Sequence, residues 1–204
     1  MTMKLVILTK STFFVEEDNI LATLFNEGME NLHVYKPGAS SLYLERLLSL
    51  LPEEHHSKIT IHNHYHLKNE FHLAGIHIDN DKATYPSGYK GSIGRSCTDL
   101  TTLKKLKKKS DYVFLGNIFD SIEFKEKKSN FNIKQLEEAS YQGLIDKHVF
   151  AFGGMNIEHA KIVRQLGFGG IVICGDLWQH FDIHRQTDFK TILTHFEKLH
   201  KTIS

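Results

Sequence analysis

The chain has 204 residues, 41% hydrophobic and 24% charged, a composition that suits one globular domain with a sizeable core and excludes disordered or fibrous classes. Its 25 basic and 24 acidic residues leave a formal charge of +1, which excludes a global attraction to nucleic acid or anionic membrane and makes any anion site local. Two cysteines, Cys97 and Cys174, without paired-thiol spacing, and no apolar run of membrane-spanning or signal-peptide length, predict a reduced, cytoplasmic protein.

From the N-terminus, short runs rich in β-branched residues at 4–8, 32–35, 59–62, 75–78, 92–94, 112–115, 149–152 and 170–174 predict eight strands. Between them, segments at 17–25, 42–51, 100–108, 133–139, 157–166 and 189–199 carry apolar residues at helical spacing. Alternation of the two patterns is the signature of βαβ units around a parallel sheet. Eight units of about 25 residues point to an α/β fold, a compact single-domain (β/α)8 TIM barrel over residues 1–204, with an open doubly wound sheet as the structural alternative. The segment 79–91 predicts an irregular connection, and His55 and His56 fall on a surface stretch. The basic run Lys104, Lys105, Lys107, Lys108 and Lys109 alternates with Leu103 and Leu106, which reads as the wet face of a helix rather than a nucleic-acid surface.

In a parallel barrel the chemistry gathers where strands end, so the residues there carry the functional reading. After the seventh strand comes Gly153-Gly154, then a helix beginning near Ile157, and after the eighth comes Cys174-Gly175. Glycines let peptide N–H groups approach an anion, and these two loops are the usual phosphate site of the fold. Tight-turn geometry alone is the competing explanation. After the third strand stand His62, Asn63 and His64, with His77 near the end of the fourth. Strand alternation would point His62 and His64 the same way, so a metal site, an acid/base imidazole and a polar cleft lining all remain open. The segments 94–98, with Ser96 and Thr98, and 116–121, with Ser121, can serve a ligand or cap the helices that follow.

Taken in order, these segments resemble the thiamine phosphate synthase and TenI-like thiazole tautomerase superfamily over residues 32–177. The resemblance rests on His33-Val34-Tyr35-Lys36, Gly75-Ile76-His77-Ile78, the 94–98 and 116–121 segments, and the two late glycine turns. It implies a thiazole phosphate as ligand, with the phosphate at Gly153, Gly154, Cys174 and Gly175. Tyr35, Lys36, Asn63, His64, His77, Thr98, Ser121 and Lys125 would contact the rest. The synthase branch also implies an aminopyrimidine diphosphate and Mg²⁺, because the departing diphosphate accumulates negative charge.

Against the synthase pattern Gln-x-Arg-x-Lys this chain has His33, Tyr35 and Pro37, with Lys36 adjacent. Asn63 stands where the metal-binding aspartate is expected, and Asp79 and Asp81 are the nearest carboxylates for a second one. The tautomerase branch moves a proton without metal, but its usual histidine after the fifth strand is Thr98 here. His62, His33 and Ser96 are therefore the catalytic expectations, with proton transfer favoured over pyrimidine transfer and no cofactor required for it. A tautomerase would be an isomerase and an active synthase a transferase; a non-catalytic sensor of thiazole or thiamine phosphate is the third reading. An aldolase-like barrel would need a lysine ending a strand, and none of the eight predicted strands ends in one. The sequence leaves a homo-oligomer open.

Overall fold

The computed structural model describes residues 2–80, 88–181 and 189–203. Eight parallel strands pair in chain order: β1 (Lys4–Leu8), β2 (Leu32–Val34), β3 (Ile59–Ile61), β4 (Gly75–Ile78), β5 (Ser92–Cys97), β6 (Tyr112–Leu115), β7 (Val149–Ala151) and β8 (Gly170–Ile173). Lys4 to Ile7 of β1 also pair with Gly170 to Ile173 of β8, so the sheet closes on itself. The architecture is the (β/α)8 barrel, and the open sheet is excluded because no strand edge is left unpaired.

Among the described residues seven helices follow strands on the outside: α1 (Glu17–Asn26), α2 (Ser41–Leu50), α3 (Leu67–Glu70), α4 (Leu100–Lys107), α5 (Ile133–Tyr141), α6 (Ile157–Gln165) and the short α7 (Gly175–Trp178). A last one, α8 (Lys190–Ile203), packs against both α6 and α7. Side-chain oxygens of Asp99, Asn132 and Asn156 accept from the first turns of α4, α5 and α6, so these three, and not Ser96 or Thr98, do the capping. In α4, Leu103 and Leu106 are buried while Lys104, Lys105 and Lys108 are exposed, the predicted wet face. No helix among the described residues is long and apolar enough to cross a membrane.

Two local expectations are corrected. The fifth strand runs on to Cys97, because Gly94, Arg95, Ser96 and Cys97 pair with Tyr112 to Leu115 and its first residues with β4. A strand with partners on both sides overrides the weak β preference of Gly-Arg-Ser, so Ser96 is a strand residue and not part of a turn. His55 and His56 are buried, not on the surface, in a 3-10 turn (Glu53–Lys58) ahead of β3. The His55 ring stacks on Phe25 at 4.6 Å, and His56 Nε2 lies 3.1 Å from the Leu48 carbonyl in the last turn of α2.

The core has two layers. The larger one lies between strands and helices, built from the outward-facing residues of each strand, such as Leu32, Val34, Ile59, Ile61 and Ile76. The smaller one fills the barrel lumen with Val6, Leu8, Phe114, Phe150 and Val172, all from β1, β6, β7 and β8. On the opposite wall of the lumen, β2, β3 and β4 turn His33, Thr60, His62 and His77 inward, each under a tenth exposed. Half the lumen is thus apolar and half is imidazole and hydroxyl. Buried polar groups on this scale are costly unless hydrogen-bonded, and the bonds these side chains make fix their geometry.

Candidate active site

Tyr35, His62, Asp79, Ser96 and Phe114 form one side of a cavity of about 220 Å³ at the carboxyl ends of the strands. Ser121, Gly153, Gly154, Cys174 and Gly175 form the other side, so the structure brings the two groups of expected residues to one place. Leu8, Phe152 and Met155 make much of the wall between them apolar, a surface suited to a flat ring.

A chain of hydrogen bonds runs down from the mouth into the lumen. The Asp79 carboxylate, 39% exposed, lies 2.9 Å from His62 Nδ1, and Ser96 Oγ donates to its Oδ1 at 3.2 Å. His62 Nε2 lies 3.0 Å from His33 Nδ1, and His33 Nε2 lies 3.3 Å from the Tyr112 hydroxyl. Neutral rings permit one assignment. The carboxylate can only accept, so His62 carries its proton on Nδ1 and accepts at Nε2 from His33 Nδ1–H, whose Nε2 accepts from Tyr112. Gly94, paired with Tyr112 across the strands, makes this possible: a Cβ there would collide with the tyrosine ring that leans over it.

His77 stacks on His62 with ring centroids 4.4 Å apart, and its Nε2 lies 3.0 Å from Ser96 Oγ. Burial holds the His33 imidazole well below its ordinary pKa, and the neighbouring His62 adds to the effect. Burial does the same to His77, reinforced by His62, His33 and the Arg95 guanidinium. Both rings are therefore neutral in the native state at neutral pH. The unfolded chain binds a proton at each below about pH 6.5 while the native state refuses it, so stability falls as the pH drops through that value. The expected slope is about 1.4 kcal/mol per pH unit for each ring, up to two rings. Urea midpoints between pH 5 and 7 measure it, and His77→Asn should remove one ring's share. A flat profile in the parent protein would refute the assignment.

On the far side of the cavity Gly153 and Gly154 have φ of 90° and 64°. A Cβ on Gly153 would come 2.7 Å from Asn117 Oδ1, and one on Gly154 would meet the Asp120 carbonyl and come 2.8 Å from Phe119 Cβ. The pair is therefore demanded by the loop between β6 and α5 that folds over it, whatever occupies the cavity. Gly154→Ala combines left-handed strain with overpacking and should destabilise the protein by roughly 2–5 kcal/mol in chemical denaturation. A loss below about 1 kcal/mol would mean that the loop yields freely. Among the described residues the Gly154 and Gly175 N–H groups make no backbone hydrogen bond outside helices and strands. Glu123 also lines this side, its carboxylate 3.8 Å from Cys174 Sγ, and burial together with Glu123 pushes that thiol up to about 12. Both cysteines are thiols and not halves of a disulfide.

Several expected contacts lie elsewhere. Lys36 is fully buried, its ammonium donating to Glu17 at 2.6 Å and to the carbonyls of Lys10 and Thr12 at 2.9 Å, so it anchors the loop after β1 and does not face the cavity. His64 takes φ of 51° as the chain leaves β3, and its Nε2 lies 2.7 Å from the Ala39 carbonyl; strand alternation had stopped, so it does not point with His62. Asn63 donates to the Lys36 carbonyl at 3.0 Å, and the Thr98 carbonyl accepts from Asn130 at 3.1 Å; neither side chain is in the cavity wall. His77 lies beneath the floor, and Lys125 is exposed on the loop while Lys127 lines the cavity in its place. Asp81 lies outside the described residues. Sequence reasoning missed Tyr112, Phe114 and the place of Asp79 beside His62 in the cavity wall. The period-two pattern of β6 already placed Tyr112 and Phe114 on one face.

A family model described as thiamine monophosphate synthase matches residues 39–177. A solved structure of thiamine phosphate pyrophosphorylase from Bacteroides thetaiotaomicron is 39% identical, with 98% of this chain and 97% of that chain covered and a TM-score of 0.89. One from Pyrococcus furiosus is 16% identical, covers 98% and 95%, and has a TM-score of 0.76. A tryptophan synthase α-subunit from Pyrococcus furiosus, 14% identical with 98% of each chain covered and a TM-score of 0.66, shares the fold. No curated protein matches the chain in a sequence search.

Proposed function

This chain belongs to the thiamine phosphate synthase/TenI superfamily, and from that premise we propose that it binds a thiazole phosphate at the barrel mouth and moves a proton on it. The observation that carries the proposal is the Asp79–His62 pair, with Ser96 bonded to the same carboxylate, at the floor of an apolar-walled cavity. Asp79 is the group within reach of a ligand. It takes the proton from one ring position, His62 and Ser96 hold it in place by their hydrogen bonds, and the same pair returns a proton at the second position, so the count is unchanged. The phosphate lies at the N–H groups of Gly154 and Gly175, with Lys127 in the wall; Glu123 must swing away to admit it.

Pyrimidine transfer would need Mg²⁺ at the leaving diphosphate. Mg²⁺ asks for about six oxygen ligands, usually with one or two carboxylates among them. Among the described residues the cavity wall holds two carboxylates, Asp79, bonded to His62 and Ser96, and Glu123, beside the Cys174 thiol, while Asn63, where the family has aspartate, is turned to the Lys36 carbonyl outside the wall. The loss of the family's aspartate at Asn63 removes one expected ligand of the ion, which supports proton transfer. The second reading, an active transferase, is favoured by the 39% identity to a protein named thiamine phosphate pyrophosphorylase.

Purified protein assayed in parallel on a thiazole carboxylate phosphate alone, and on hydroxyethylthiazole phosphate with aminopyrimidine diphosphate and Mg²⁺, separates the readings. Isomerisation without metal is the expected result. Thiamine phosphate formation would replace the proposal by the transferase, and tight ligand binding with neither reaction would leave a binding protein.

A further inference from the structure

Beneath the cavity floor three imidazoles converge from β2, the end of β3 and β4. One ring nitrogen from each of His33, His62 and His77 lies within 4.8 Å of the other two, and all three residues are buried. Each ring also has an outward nitrogen held by a partner: His33 Nε2 by Tyr112 Oη at 3.3 Å, His62 Nδ1 by Asp79 at 2.9 Å, and His77 Nε2 by Ser96 Oγ at 3.0 Å. That leaves His33 Nδ1 and His62 Nε2, 3.0 Å apart, and His77 Nδ1, which is buried with no hydrogen-bond partner among the described residues.

We propose that these three nitrogens form a binding site for a divalent transition metal, Zn²⁺ above all, whichever reaction the mouth performs. Outer nitrogens fixed by carboxylate or hydroxyl, with the inner nitrogens left close together, is the pattern of metal-ligating histidines. Tetrahedral Zn²⁺ at its usual 2.0–2.1 Å from nitrogen sets ligand atoms about 3.3 Å apart, and His33 and His62 already stand near that spacing. An all-imidazole set selects Zn²⁺ over Mg²⁺, and three ligands leave a fourth position open. The His62 and His77 rings stack at 23°, so the ion must tip His77 for its Nδ1 lone pair to join. The proton on His33 Nδ1 moves to Nε2, where it is donated to the Tyr112 oxygen. No net proton is released.

The test is titration of chelator-stripped full-length protein with Co²⁺, read by the visible absorption of the tetrahedral ion, followed by displacement with Zn²⁺. One equivalent should bind. His33→Asn and His77→Asn should each abolish the band, while Tyr112→Phe, which keeps all three ligands and removes one outer hydrogen bond, should weaken binding about 10–100-fold. His66→Asn, on an exposed residue, should change nothing. Circular dichroism checks that each variant is folded; if the asparagine variants are not, the parent protein and Tyr112→Phe decide. Absence of stoichiometric binding in the parent, or a band that survives in folded His33→Asn and His77→Asn, or unaltered affinity in Tyr112→Phe, would overturn the proposal.

Discussion

His62→Asn should lower kcat for isomerisation of the thiazole carboxylate phosphate by about 10²–10⁴-fold, the range a positioned acid/base group supplies, with KM nearly unchanged. Asparagine is shorter and cannot hold the same bond, and the bond from His62 Nδ1 is what orients the half-exposed Asp79 carboxylate toward the cavity. Asp79→Asn should lose as much, because it removes the proposed base itself. Ser96→Ala, which deletes one of the hydrogen bonds to that carboxylate, should lose roughly tenfold. The proposed phosphate grip lies across the cavity at Gly154 and Gly175, so binding should be spared and the loss should fall on kcat. Steady-state kinetics on variants with unaltered thermal melts make the measurement. Wild-type kcat in His62→Asn would remove the pair from the mechanism.

Lys36→Met should cost about 3–5 kcal/mol of folding stability, a large share of the 5–15 kcal/mol that a domain holds. Glu17 is 2% exposed and Lys36 fully buried, with the Phe13 ring 4.6 Å from the ammonium, so the variant strands a carboxylate away from water. Burial already pushes the Glu17 carboxyl up, against the opposing pull of Lys36. Without the lysine the carboxyl takes up a proton more readily than in the unfolded chain. A raised native value means stability is gained as the pH falls, so the deficit should shrink toward acid. The double variant Lys36→Met, Glu17→Leu should recover most of the loss, since an apolar pair replaces a buried ion pair with little penalty. Urea unfolding of the three proteins tests both statements, and a single-variant loss under about 1 kcal/mol would contradict them.

That same lysine shows where reading the sequence stops. A cation next to the second strand was a reasonable ligand contact, but its direction is set by a glutamate 19 residues earlier in the chain. The eight strands were legible because runs such as Val-Ile-Leu at 6–8 and Ile-Val-Ile at 171–173 are buried on both faces of a parallel sheet and need no alternation to be seen. The Gly153-Gly154 turn was legible because positive φ asks for glycine whatever the fold around it, whereas Gly175 simply opens α7. Strand alternation likewise gives the inward facing of His62, and it fails at His64 as soon as the strand ends. Closure of the barrel, the full length of β5, and the burial of His55 and His56 were decided by pairing and packing between segments far apart in the chain. So was the meeting of His33, His62, His77 and Tyr112: each residue is visible in its own strand, but which ring nitrogen faces which depends on the register of neighbouring strands, and register exists only once the sheet has closed.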